Sequence, residues 1–141
     1  MTERLRQAVR ERAHGHCEYC LAPDDHSSAS FTIDHLQPRS AHGSDDLANL
    51  AWCCWNCNSH KAAALTALDP QTNQNVPLFH PRRDTWSEHF RWDEEQVHIE
   101  GITPIGRATV ERLQMNEPAI VNLRRLLMLI DRHPPLLGSS Q

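Results

Sequence analysis

The stretch that decides the fold is Leu50-Ala51-Trp52-Cys53-Cys54-Trp55-Asn56-Cys57-Asn58. Its apolar start reads as a short strand over residues 50–53, and a Cys-x-x-Cys turn follows at once. Asn58 then opens a stretch, residues 58–68, whose alanines and leucines predict a helix. Working outwards, a second such turn, Cys17-Glu18-Tyr19-Cys20, stands upstream. Between the two turns lie Phe31-Thr32-Ile33, β-branched and aromatic and hence strand-like, then Asp34-His35 and Asn49. Pro38 stops that first strand, because it lacks a donor and restricts Gln37. Gly43 marks a turn in the loop over residues 39–47. The order is therefore strand, long loop, strand, helix, with a cysteine turn on either side.

Four thiolates, Cys17, Cys20, Cys54 and Cys57, match a closed tetrahedral zinc site. Each short turn supplies two sulfurs, and its backbone N–H groups can bond to them. Disulfides within the pairs would strain a short loop and need an oxidising compartment. The chain's five cysteines are also an odd number, which argues against complete pairing. Four protein ligands leave no open position for water, so the zinc is expected to be structural. Cys53 reads as a buried apolar residue of the strand, with an exchange with Cys54 as the alternative.

A length of 141 residues allows one domain, or a small domain with an extension. A hydrophobic fraction of 39% permits only a modest core, so a metal that fixes the polar stretch adds folding free energy directly. No N-terminal apolar stretch resembles a signal peptide, and no run is long enough to span a membrane. The expectation is a cytoplasmic protein with reduced cysteines. A net charge of −4 argues against a general nucleic-acid coating protein but leaves room for one local positive face.

The chain divides near residue 77. Residues 1–77 hold every cysteine and the polar constellation. They open with a predicted helix over 2–13 that Gly15 ends, whose Arg4, Arg6, Arg10 and Arg12 are alternative phosphate contacts. Residues 78–141 hold most of the aromatic and apolar periodicity. A linker-like stretch over 71–81, pinned by Phe79 and Trp86, leads into a predicted hairpin of 90–92 and 97–99. Thr103-Pro104 matches a helix start, with Thr as cap and Pro at the first position. A final helix runs through 130. This second segment is expected to pack on the first and enlarge its core.

Asp34 and His35 stand at a strand end, where a carboxylate and an imidazole can serve one site from two sides. Asn58, fixed beside the second cysteine turn, brings a neutral oxygen towards that carboxylate. Such hard oxygen ligands, with water and a phosphate oxygen, suit Mg²⁺ rather than zinc. Plainer roles stand beside these. Asp34 can brace a turn, His35 can bond a backbone carbonyl, Asn49 can satisfy loop amides and Asn58 can cap the helix. Lys61 and His60 can simply be solvated.

Taken together, Arg12, the first cysteine turn, Ile33-Asp34-His35-Leu36, Pro38, Gly43, Asn49-Leu50, Cys54, Cys57-Asn58 and Lys61 resemble the HNH endonucleases. These are the ββα-metal or His-Me finger nucleases, and the likeness is to their four-cysteine, zinc-bearing branch. The resemblance implies a small α+β fold: a ββα-metal core stapled by a four-cysteine zinc site, here with a hairpin-plus-helices extension. It implies a metal-dependent endonuclease that hydrolyses DNA phosphodiesters to 5′-phosphate and 3′-hydroxyl ends. His35 would be the general base, Asp34 and Asn58 the ligands of a catalytic Mg²⁺ (or Mn²⁺ or Ni²⁺), and Asn49 the residue that holds the loop and histidine. Asn58 stands where the family often has a last histidine, which makes it a weaker ligand. Lys61, His60 and Arg39 are the candidate substrate contacts, with Arg82 and Arg83 behind them. Residues 86–92 and 101–109 resemble an extension of small bacterial HNH proteins to which no catalytic role attaches. DNA is the expected partner, membranes are not, and a homodimer would suit double-strand cleavage. Two rivals remain from the same residues: a zinc-stapled module that binds nucleic acid or protein without cutting, and a degenerate nuclease.

Overall fold

The computed structural model describes residues 1–136; residues 137–141, the end of the expected second segment, lie outside the described residues. Helix α1 (Glu3–Arg12) begins at Thr2, whose hydroxyl accepts from Leu5 N–H. Strands β1 (Thr32–His35) and β2 (Leu50–Cys53) pair antiparallel, with Thr32 opposite Cys53 and His35 opposite Leu50. Helix α2 (Trp55–Lys61) follows directly, capped by the Cys54 thiol. This is the expected strand, loop, strand, helix unit, and it is stapled by the four cysteines.

Helix α2 is shorter than its alanines suggested and starts earlier. Ala62, at φ 50°, breaks it, and Arg112 satisfies two of its last carbonyls, those of His60 and Lys61. Leu65 and Leu68 consequently form no apolar helix face. The residues expected to continue the helix instead form strand β3 (Thr66–Leu68), paired with β4 (Asn75–Pro77) out of the expected linker. Asp69 explains the change. Its carboxylate accepts from Gln71 N–H and the Thr72 hydroxyl, which closes a turn, and it receives both arms of Arg107 at 2.9 Å. Local helix propensity, worth a few tenths of a kcal/mol per residue, yields to this tertiary contact.

The remaining elements are α3 (Trp86–His89), β5 (Phe90–Trp92), β6 (Ile99–Gly101), α4 (Pro104–Leu113) and α5 (Pro118–Leu129). Strands β5 and β6 pair as a hairpin, but β6 lies two residues beyond its expected place. Asp93 Oδ1 takes the N–H groups of Val97 and His98, which removes them from the ladder. Thr103 caps α4 as expected, accepting from Gly106 N–H.

One continuous core joins the two halves. It runs from Val9 and Tyr19 through Leu50, Trp52 and the cysteines to Phe79, Trp86, Phe90, Leu113 and Met115. Trp86 is buried and Trp92 packs against it and against His133, so both serve as core anchors. Among the described residues, no helix is long and apolar enough to cross a membrane.

Candidate functional site

Two turns bring the four thiols together. In the second, Cys57 N–H donates to Cys54 Sγ at 3.4 Å, the knuckle bond that orients a metal-binding sulfur. The first is tied to β2 twice: Glu18 N–H donates to the Trp52 carbonyl, and Trp52 N–H donates to Glu18 Oε2. The Sγ atoms of Cys17, Cys20, Cys54 and Cys57 all lie within 4.8 Å of one another, and all four residues are buried. Among the described residues this is the only group of three or more His, Cys, Asp or Glu side chains close enough to hold an ion.

Its electrostatics fit a divalent cation. Burial alone would raise the Cys17 thiol, but hydrogen bonds from Cys20, Cys53, Cys54 and Cys57 outweigh it and hold Cys17 well below the usual thiol range. The same contacts push Cys54 and Cys57 up. The Cys17 thiolate forms readily, while Cys54 and Cys57 await positive charge of the kind a zinc ion supplies. Cys53 stays outside the ligand set. Burial raises its thiol, and it serves the cluster as a hydrogen-bond neighbour of Cys17.

On β1, Asp34 and His35 point to opposite sides, as adjacent strand residues must. Asp34 turns inwards and is only 4% exposed. Its Oδ2 accepts from the Tyr19 hydroxyl at 2.6 Å. The Lys61 ammonium lies 3.1 Å from Oδ2 and 3.3 Å from Oδ1. Lys61 is thus buried, not solvated. Asn58 precedes it by one turn on α2 and shares that face, which packs against β1. Asn58 lies inside the helix, whose cap is Cys54.

His35 faces the loop over 36–49. Its Nε2 lies 2.8 Å from Asp45 Oδ1, and Arg39 reaches the same oxygen at 3.2 Å. Asn49 knots that loop. Its side chain accepts from Gln37 N–H at 2.7 Å and donates to the carbonyls of Gln37 and Ser44. Gly43 is required here: a Cβ would meet Gln37 O at 1.7 Å.

A family model described as HNH endonuclease matches residues 17–63. Residues 17–63 are an HNH endonuclease family domain. Its four-cysteine cluster matches a zinc-bearing HNH branch. No curated protein and no solved structure matches the chain.

Around the HNH domain, several arginines proposed for phosphate are engaged within the chain. Arg6 lies over the Trp52 ring and bonds the Phe31 carbonyl, Arg10 pairs with Asp24, and Arg12 donates to the Leu47 and Leu50 carbonyls. Arg82 pairs with Glu18. His60 is exposed and bonds the Asn56 carbonyl through Nδ1. Two residues at the site escaped the sequence reading. Asp45 is one polar residue in a polar loop and gave no signal. Tyr19 stood in view inside the first knuckle, an aromatic between two ligands.

Proposed function

We propose that the HNH domain is a metal-dependent endonuclease that hydrolyses DNA phosphodiester bonds. The observation that carries this is the His35–Asp45 pair, set on the strand residue next to Asp34. With Nε2–H donated to Asp45, His35 keeps the Nδ1 lone pair for a proton. Asp45 then steadies the imidazolium that forms, and Arg39 fixes Asp45. His35 accepts a proton from water, which attacks the phosphorus in line with the departing 3′ oxygen. Asn49 holds the loop that carries Asp45 at its working distance.

Asp34 and Asn58 would hold the hard cation. Their donor set, one carboxylate and one neutral amide oxygen, fits Mg²⁺ or Mn²⁺ and not a second zinc. When bound, the ion would neutralise charge on the phosphate and assist the leaving oxygen. Reduced thiols at the zinc site suit a cytoplasmic setting.

One contact favours the rival reading of a binding module. A carboxylate already neutralised by Lys61 has less need of a metal. Supercoiled plasmid incubated with the zinc-loaded protein and Mg²⁺, Mn²⁺ or Ni²⁺ separates the two. The nuclease reading expects nicking, and a loss of roughly 100-fold or more in His35→Ala at unchanged zinc content. Equal nicking by both proteins would remove His35 from the role of base. No cleavage of plasmid or of single-stranded DNA with any of the three ions would favour the binding module.

A further inference from the structure

Tyr19 is the chain's single tyrosine, and it is fully buried. It stands within the first zinc knuckle, with Cys20 next to it and Cys17 two residues before. Three contacts leave it little freedom. Its ring meets Phe79 edge-on at 6.3 Å, its carbonyl accepts from Trp86 Nε1 at 2.8 Å, and its hydroxyl donates to Asp34 Oδ2 at 2.6 Å.

A phenol has one proton to give, and here it goes to the carboxylate expected to hold the catalytic ion. A tyrosine that only filled the core would do as well without its hydroxyl. The bond also restricts rotation of the carboxylate. Lys61 Nζ donates to Oδ1 at 3.3 Å and lies 3.1 Å from Oδ2, whereas Tyr19 engages Oδ2 alone. The backbone of Asp34 is held by β1, opposite Ala51. Tyr19 on Oδ2, opposite Lys61 on Oδ1, therefore helps fix what the strand leaves free, the torsion of the side chain.

We propose that Tyr19 is a positioning residue that ties the zinc knuckle to the Asp34 carboxylate and orients it for a hard divalent cation. This rests on the reading of Asp34 as a metal ligand. The zinc then does more than staple the fold, since a knuckle that shifts takes the tyrosine hydroxyl with it. Trp86, bonded to the Tyr19 carbonyl, brings the second half of the chain into the same linkage.

The test uses the full, zinc-loaded chain and Mn²⁺ binding followed by electron paramagnetic resonance. Tyr19→Phe is expected to keep its zinc and to raise the half-saturating Mn²⁺ concentration by about 10-fold or more, the range seen when a partner of a metal ligand is removed. Tyr19→Phe in an Asp34→Asn background is expected to cause no further change. An Mn²⁺ affinity unchanged by Tyr19→Phe, at full zinc content, would overturn the proposal. Native protein with no Asp34-dependent Mn²⁺ site would overturn the reading beneath it, a separate outcome. If Tyr19→Phe does not fold, 3-fluorotyrosine labels position 19 alone. Mg²⁺ is then expected to shift its ¹⁹F resonance in the native sequence and not in Asp34→Asn, and no shift in the native sequence would overturn the proposal.

Discussion

Residues 17–61 bury cysteine sulfur, two carboxylates (Glu18 and Asp34) and a lysine; residues 78–133 bury indole, phenyl and aliphatic side chains with Thr109, His133 and one guanidinium, Arg124. The first region has polar groups where a core would ordinarily be apolar, and two short strands to carry them. Much of what it buries is cysteine, and the clustered thiols are what a metal would staple. The second has aromatic contacts in series, Phe79 to Phe90 to Trp86 to Trp92, and packs by area. Besides the shared core, specific hydrogen bonds tie it to the first region. Trp86 bonds Tyr19, Arg112 bonds the end of α2, and Asn56 donates to the carbonyls of Leu113 and Gln114. The residues proposed for chemistry sit in the cysteine-stapled region, and the aromatic region packs against it.

Removing zinc should show the difference most strongly. Binding at structural zinc sites carries on the order of 10 kcal/mol, comparable to the whole stability of a domain. Chelation is expected to unfold the HNH domain and, through the shared core, to broaden or lower the transition of the rest. A far-ultraviolet circular dichroism spectrum unchanged after verified zinc loss would contradict the staple.

Trp86→Ala attacks the aromatic packing instead. It is expected to cost about 3–5 kcal/mol, the range for deleting a large buried aromatic side chain. The denaturant midpoint should fall while zinc stays bound at the folded baseline. A change under about 1 kcal/mol would show that the two regions stand independently, since surface substitutions give no more.

Arg107→Met should have a smaller effect with a definite pH dependence. Arg107, with help from Thr72 and Gln71 N–H, holds the Asp69 carboxyl well below the usual carboxylate range. A depressed folded-state pKa stabilises above the unfolded value of about 3.9 and is lost as pH falls below it. The gap in melting temperature between native protein and Arg107→Met should be full at pH 7 and narrow as the pH falls below about 4. A gap that stays constant into acid would remove the ion pair as its cause.

Much of the first region was legible because its signals are local. Strand β2 occupies residues 50–53 as its apolar run indicated, and the cysteine spacing identified the four ligands. The Thr103-Pro104 cap was equally plain, since capping is a matter of adjacent residues. What escaped depends on contacts between distant residues. Alanines 62–64 advertised helix, and nothing near them announced that Asp69 would pair with Arg107. A lysine after a cysteine turn reads as a phosphate contact or a solvated side chain until the strand that buries it is in place, as with Lys61 and Asp34. Asp45 became visible only when the loop, knotted by Asn49, folded back to His35.

The claim that His35 supplies the base is tested most directly by replacing the side chain and returning its function from solution. His35→Gly, zinc-loaded and folded, should cut plasmid DNA at a small fraction of the native rate, and added imidazole should restore part of that rate. Asp34→Ala should gain nothing from imidazole. Cleavage by His35→Gly at the native rate, without imidazole, would contradict the account.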